Sequence, residues 1–169
     1  IITDSVASIP AEIAKDRNIE VVSLFVRHDG VEYEDATMDL DDFYSRIDQM
    51  VDDLPTSSQP SQLTLETLFE NAAQAGDDVL GVFISSRMSG TYEGAVRAAR
   101  AVKERHSSFS CMLVDSTSNS YDEAACVFDA VEAREAGSDL RACANAVVEG
   151  VLSSRFLFTP ETLTFLKAG

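Results

Sequence analysis

Basic residues are scarce: 13 Lys and Arg stand against 29 Asp and Glu, giving a net charge of −16 and a pI near 4.3. So acidic a chain repels nucleic acid and anionic membrane surfaces, which removes both as partners. Cysteine is sparse as well. Cys111, Cys126 and Cys143 are odd in number, widely spaced and set among apolar or alanine-rich residues, where Cys behaves as a small hydrophobe. That usage suits a reducing, cytoplasmic compartment. There is no CxxC pair, and His28 and His106 lie far apart without HExxH spacing, so a zinc site lacks its ligands. No apolar run approaches the roughly 20 residues that span a bilayer. Phosphate cradles of the GxGxxG or GxxxxGK kind are missing, as is a GxSxG nucleophile elbow. Neither histidine is placed to act as a base for Ser89, which argues against a serine hydrolase. The stretch from Ile1 to Asp4 has neither an initiator Met nor a basic signal region, so residues are expected to be missing from the front.

What is present is the material of a globular α/β protein. The 169 residues are 45% hydrophobic with four prolines, enough to build one good core. Residues 1–3, 19–26, 79–84 and 111–114 read as strands, and the last two are nearly all apolar. Continuous apolar strands imply burial on both faces, hence a parallel sheet covered by helices on each side. Helical spacing marks 61–75, ended by Gly76, and 91–106. Two alanine-rich helices follow at 121–136 and 140–152, with Ser138 or Asp139 as the second N-cap. A last apolar piece at 156–158 precedes Pro160 and a short helix through Phe165 and Leu166. From Asp29 to Asp53 there are ten acidic residues and one base, Arg46, interleaved with Phe43, Ile47 and Met50 at helical spacing; this reads as a solvated helix face rather than a metal site.

The informative pattern is where the hydroxyls fall. The first strand runs into Asp4 and Ser5, the third into Ser85, Ser86, Ser89 and Thr91, and the fourth into Asp115, Ser116, Thr117 and Ser118. Ligands of open α/β sheets bind outside the carboxyl ends of the strands, and helices that start there offer free N–H groups to an anion. Ordinary helix caps, worth about 1 kcal/mol each, account for any one such loop. Three together point to a hydroxyl-lined anion pocket. A fourth cluster, Thr56-Ser57-Ser58-Gln59-Pro60-Ser61, reads as a capped loop before the next helix.

Taken in order, Ile2-Thr3-Asp4-Ser5, Thr56-Ser57-Ser58-Gln59-Pro60-Ser61, Ile84-Ser85-Ser86-Arg87-Met88-Ser89-Gly90-Thr91-Tyr92 and Val114-Asp115-Ser116 resemble the DegV family of bacterial fatty acid-binding proteins. The ending, from Glu161-Thr162-Leu163 to Phe165-Leu166-Lys167-Ala168-Gly169, is also similar, so the resemblance covers essentially the whole chain. It implies a cytoplasmic protein with a Rossmann-like parallel-sheet domain over 1–152 and the start of a second α/β domain at 153–169, a long-chain fatty acid being buried between the two. It also implies no catalysis and no cofactor. Such proteins resemble the binding subunit of bacterial fatty acid kinase, which presents the acyl carboxylate to a separate kinase subunit. By motif, the hydroxyls that hold the carboxylate fall on Ser57 and Ser89, with Ser58, Gly90, Thr91 and Ser116 as secondary candidates.

Three departures stand out. Ser57 replaces the family's usual Thr, which keeps the hydroxyl and loses a methyl. Asp122 and Glu123 stand where small, glycine-containing sequence is common. The chain stops before the family's Arg-containing turn and most of its second domain, so a fragment of a longer protein is expected. The same loops would also suit an enzyme acting on a small phosphorylated or hydroxylated metabolite, the alternative reading.

Overall fold

The computed structural model describes residues 1–164 and residue 167. The expected helix through Phe165 and Leu166 lies outside the described residues. In chain order come β1 (Ile2–Asp4), α1 (Ala11–Asp16), β2 (Glu20–Val22), β3 (Phe25–His28), β4 (Val31–Glu34), α2 (Leu40–Ser45) and β5 (Thr56–Ser58). After these follow α3 (Gln62–Ala75), β6 (Val79–Phe83), α4 (Thr91–Arg105), β7 (Cys111–Asp115), α5 (Ser120–Glu135) and α6 (Leu140–Ser153).

A four-stranded parallel sheet in the order β2-β1-β6-β7 forms the centre. Its two faces are filled by the alternation of side chains along each strand. Leu80 and Val82 of β6 join Val127, Ala130 and Val131 of α5 and Val147 of α6 on one side. Val79 and Phe83 join Leu65 and Phe69 of α3 and Ala95, Ala98 and Val102 of α4 on the other. This is the helix-covered parallel sheet that the apolar strands predict. Gly81 permits the close packing, because a Cβ there would stand 2.6 Å from the Phe83 ring and 2.7 Å from Leu113.

The expected strand over 19–26 is two strands in two sheets. β2 belongs to the central sheet, whereas β3 leads a second, antiparallel sheet ordered β4-β3-β5. The break falls at Ser23 and Leu24, where side chains intercept the backbone: Ser5 Oγ accepts the Leu24 N–H at 3.0 Å and Ser23 Oγ donates to the Leu24 carbonyl at 2.8 Å. A two-residue turn, Asp29 (φ 51°) and Gly30 (φ 74°), joins β3 to β4, the positive φ values matching the twist of a tight hairpin. Thr56 to Ser58, expected as loop, form β5 by pairing with β3. Within 29–53 every acid is exposed except half-buried Asp35, while Phe43 and Met50 are buried. Asp39 caps α2 by accepting the Asp42 N–H at 2.9 Å.

Candidate functional site

Strands β1, β6 and β7 are parallel and end on the same side of the sheet, so their three following loops meet there. Most hydroxyls and carboxylates in these loops are already engaged. Asp4 accepts N–H groups from Val6 at 3.0 Å and, across to the neighbouring strand, from Ile84 at 2.8 Å. Burial pushes its carboxyl up to about 6, opposed by those two N–H bonds. Ser85 Oγ accepts the Arg87 N–H, and Asp115 Oδ1 accepts from Ser86 at 3.2 Å and Thr117 at 2.8 Å. These groups shape the turns. Ser116, a secondary candidate, is among them: it is buried, donates to the Ser118 carbonyl at 3.1 Å and accepts the Ser118 N–H at 3.2 Å.

Beside the junction of β1 and β6, where the strand order reverses, lies a cleft of about 500 Å³. Ser57, Ser58 and Gln59 line it from the β5 segment, and Met88, Ser89 and Gly90 line it from the loop ahead of α4. Its remaining wall is largely apolar, with Leu24, Phe25, Val26 and Ile84. The cleft thus brings together four sequence-predicted residues, Ser57, Ser58, Ser89 and Gly90, and leaves out Thr91 and Ser116. Thr91 is fully buried, its hydroxyl 2.9 Å from Ser89 Oγ, and its N–H donates to the same Ser89 oxygen at 3.3 Å. Ser89 is therefore partly committed to starting α4. Ser57 and Ser58 are exposed, and their side chains make no hydrogen bond among the described residues.

At Gly90, where the missing side chain leaves space beside the backbone, the Gln59 side-chain amide occupies that space. The amide oxygen overlaps the place a Cβ would occupy, with the amide carbon 3.3 Å and the nitrogen 3.6 Å from it. Gln59, the β3 wall and Asp35 are among the lining residues that sequence reasoning missed. Their signal was weak, since β3 was hidden inside the apparent strand over 19–26. Asp35 is the one ionisable residue among those lining the cleft.

Behind the sheet end sits Glu123, fully buried in the first turn of α5. Thr3 Oγ1 donates to its Oε1 at 3.3 Å, while its Oε2 has no partner among the described residues. Burial, reinforced by the charges of Asp4 and Asp115, pushes its carboxyl up to about 10, so it is protonated at neutral pH. Among the described residues no cluster of three or more His, Cys, Asp or Glu is arranged to hold a metal, and no helix is long and apolar enough to cross a membrane.

A family model described as "Uncharacterised protein, DegV family" matches residues 1–169. A DegV domain-containing protein of Clostridium perfringens is 32% identical over 169 residues, covering 100% of this chain and 59% of the relative. One from Clostridium acetobutylicum is 33% identical with the same coverage. The fold superposes on a fatty acid (stearic acid)-binding protein of Eubacterium ventriosum with a TM-score of 0.77 at 25% identity, covering 87% of this chain and 51% of that one. For DegV of Bacillus subtilis, a fatty acid binding protein, the TM-score is 0.75 at 26% identity, covering 88% and 51%. The chain therefore spans 59% of the length of these curated relatives and about half of the solved ones.

Proposed function

Because the chain belongs to the DegV family, we propose that it is the hydroxyl-bearing part of a protein that binds a long-chain fatty acid, with the carboxylate held by Ser57 and Ser89. One observation carries this reading: hydroxyls from two loops distant in sequence line a single cleft whose remaining wall is mostly apolar. Its volume lies within the roughly 300–1,000 Å³ of small-molecule sites. Burying a methylene contributes about 0.8 kcal/mol, so an acyl tail dominates affinity while the hydroxyls orient the head group. The solved neighbours that bind fatty acids support the same assignment. Residues 153–169 begin a second α/β domain, which in the longer protein encloses the tail over this open cleft.

The role is binding rather than turnover, supported by a lining whose one ionisable residue is Asp35. No Lys, Arg or His among the lining residues is available to neutralise a dianionic phosphate, which weighs against the metabolite enzyme. In the cytoplasm the bound acid is presented to a separate kinase subunit. The test is denaturing extraction and mass spectrometry of the full-length protein purified from bacteria, beside thermal-shift screening of long-chain acids against sugar phosphates. A co-purifying fatty acid and a shift with acids are expected. Repeated preparations free of lipid, with a shift only for phosphates, would overturn the proposal.

A further inference from the structure

Two adjacent buried residues where β1 ends, Asp4 and Ser5, tie down both walls of the cleft. On one side Asp4 Oδ2 accepts the Ile84 N–H at 2.8 Å. From Ile84 the chain enters a tight turn in which the Ser85 carbonyl accepts the Met88 N–H at 2.9 Å and the Ser89 N–H at 3.1 Å, so a short hydrogen-bonded path joins Asp4 to Ser89. On the other side Ser5 Oγ accepts the Leu24 N–H at 3.0 Å. Leu24 leads directly into β3, where Phe25 and Val26 pair with Ser58 and Ser57. The Leu24 carbonyl is held as well, accepting the Asp35 N–H at 3.0 Å and the Ser23 hydroxyl at 2.8 Å. Ile84 and Leu24, the residues so tethered, both line the cleft.

We propose that Asp4 and Ser5 are positioning residues for the head-group site: Asp4 holds the wall that carries Ser89, Ser5 holds the wall that leads to Ser57 and Ser58, and their adjacency in the chain sets the spacing between the two. Neither residue lines the cleft itself, so each acts through the backbone it holds. Asp4 does this fully only as a carboxylate. Its Oδ1 accepts the Val6 N–H at 3.0 Å and its Oδ2 the Ile84 N–H, and a proton on either oxygen weakens that oxygen as an acceptor. The titratable groups acting on it are acids: Asp35 beyond β4, and Glu123 on α5, which also feels the charge of Asp115 on β7. Burial, with a smaller push from Asp35, raises the Asp4 carboxyl to about 6 against those two N–H bonds, so the Ser89 wall loosens as pH falls through that value. The inference rests on the fatty acid reading for its effect on binding, but the two tethers are independent of any ligand.

The experiment compares wild type, Asp4→Asn, Ser5→Ala and Ser5→Thr in the full-length protein. Its probes are a fluorescent dodecanoic acid and dodecyl sulfonate, whose head group stays anionic across the pH range. Asparagine keeps the size of Asp4 and removes its charge, but offers an NH2 in place of one acceptor oxygen. Loss of a negative charge alone tightens the binding of an anion, whereas loss of the tether weakens it, so the sign of the change decides. Asp4→Asn should weaken the acid probe about tenfold, the equivalent of one hydrogen bond to a charged group. Ser5→Ala should weaken it likewise, and Ser5→Thr, which keeps the hydroxyl, should restore most of the loss. Wild-type affinity for the sulfonate should fall several-fold between pH 8 and pH 5, with a flat profile in Asp4→Asn. Without ligand, Asp4→Asn should shift the Ile84 and Ser89 amide resonances, and Ser5→Ala those of Leu24, Ser57 and Ser58. If Asp4→Asn does not fold, the wild-type pH profile and the two Ser5 variants carry the decision. Unchanged or tighter binding in Asp4→Asn or Ser5→Ala, a wild-type affinity that is flat or rises toward acid pH, or unmoved Ser57, Ser58 and Ser89 amides would overturn the positioning role. A wild type that binds neither probe would sink the fatty acid reading alone, with the amide shifts still deciding the tethers.

Discussion

Replacing Glu123 with Gln should stabilise the protein, and by an amount that grows with pH. Glu123 is fully buried at the start of α5, with Thr3 donating to one carboxyl oxygen and the other oxygen unpartnered. Burial is the main cause that raises its carboxyl from 4.5 to about 10, followed by the charge of Asp4, with Asp115 adding to it. Below the ordinary value the group is protonated in both folded and unfolded chains and contributes no pH dependence. Above it the unfolded chain releases the proton while the folded chain retains it, so stability falls as pH rises through that window, at about 1.4 kcal/mol per pH unit. Between pH 4.5 and pH 7 the loss amounts to roughly 3 kcal/mol. Glutamine is neutral throughout, keeps an acceptor for Thr3 and removes this slope. Asp4, raised to about 6, adds its own decline at acid pH, but it does so in both proteins and largely cancels in the difference. Urea denaturation of wild type and Glu123→Gln, followed by far-UV circular dichroism at pH 5, 6, 7 and 8, measures the divergence. A stability difference that stays constant with pH, or a variant less stable than wild type at pH 8, would refute the buried neutral acid.

Ser89→Ala should weaken fatty acid binding ten- to a hundredfold, from the roughly 1.5 to 3 kcal/mol of a hydrogen bond to a charged group, and cost about 1 kcal/mol of stability through the lost Thr91 N–H contact. Normal binding with lowered stability would make it a cap alone. Ser57→Thr should bind as well as wild type or more tightly in the same titration, and a large loss would remove Ser57 from the site. Burial pushes the Cys111 thiol up to about 12 and that of Cys126 up to about 11, and Cys143 is buried, so a chromogenic disulfide at pH 8 should label native thiols far more slowly than denatured ones. A rapid native burst of one thiol per chain would contradict this. Millimolar calcium or zinc should leave the melting temperature unchanged, because the acids of 29–53 face solvent; a saturable rise of several degrees would reveal a bound ion.

The elements most legible in the sequence are those whose own residues determine their state. β6 and β7 could be read because a run such as Val79–Phe83 has no polar face to offer solvent, and α3 because Ser61 and Gly76 mark both of its ends. β5 was illegible because its three exposed residues form a strand through the partner strand β3 rather than through any apolar pattern. The division of 19–26 depends on Ser5, far back in the chain, reaching Leu24. The β3 to β4 hairpin is a different matter, since Asp29-Gly30 is a recognisable turn pair that the acidic composition around it obscured. The site divides along the same line. Sequence shows which residues carry hydroxyls, whereas the hydrogen bonds show which of them are spent. Ser85, Ser116 and Asp4 close turns or tie strands together, so the strand-end cluster that first suggests an anion pocket is largely structural. Among the residues lining the cleft, the hydroxyls that make no hydrogen bond are those of Ser57 and Ser58 on β5, in the segment that looked most like a simple capped loop. It is therefore the second sheet, invisible in the hydrophobic pattern, that turns an ordinary set of α/β turns into a cleft with unspent donors facing Ser89.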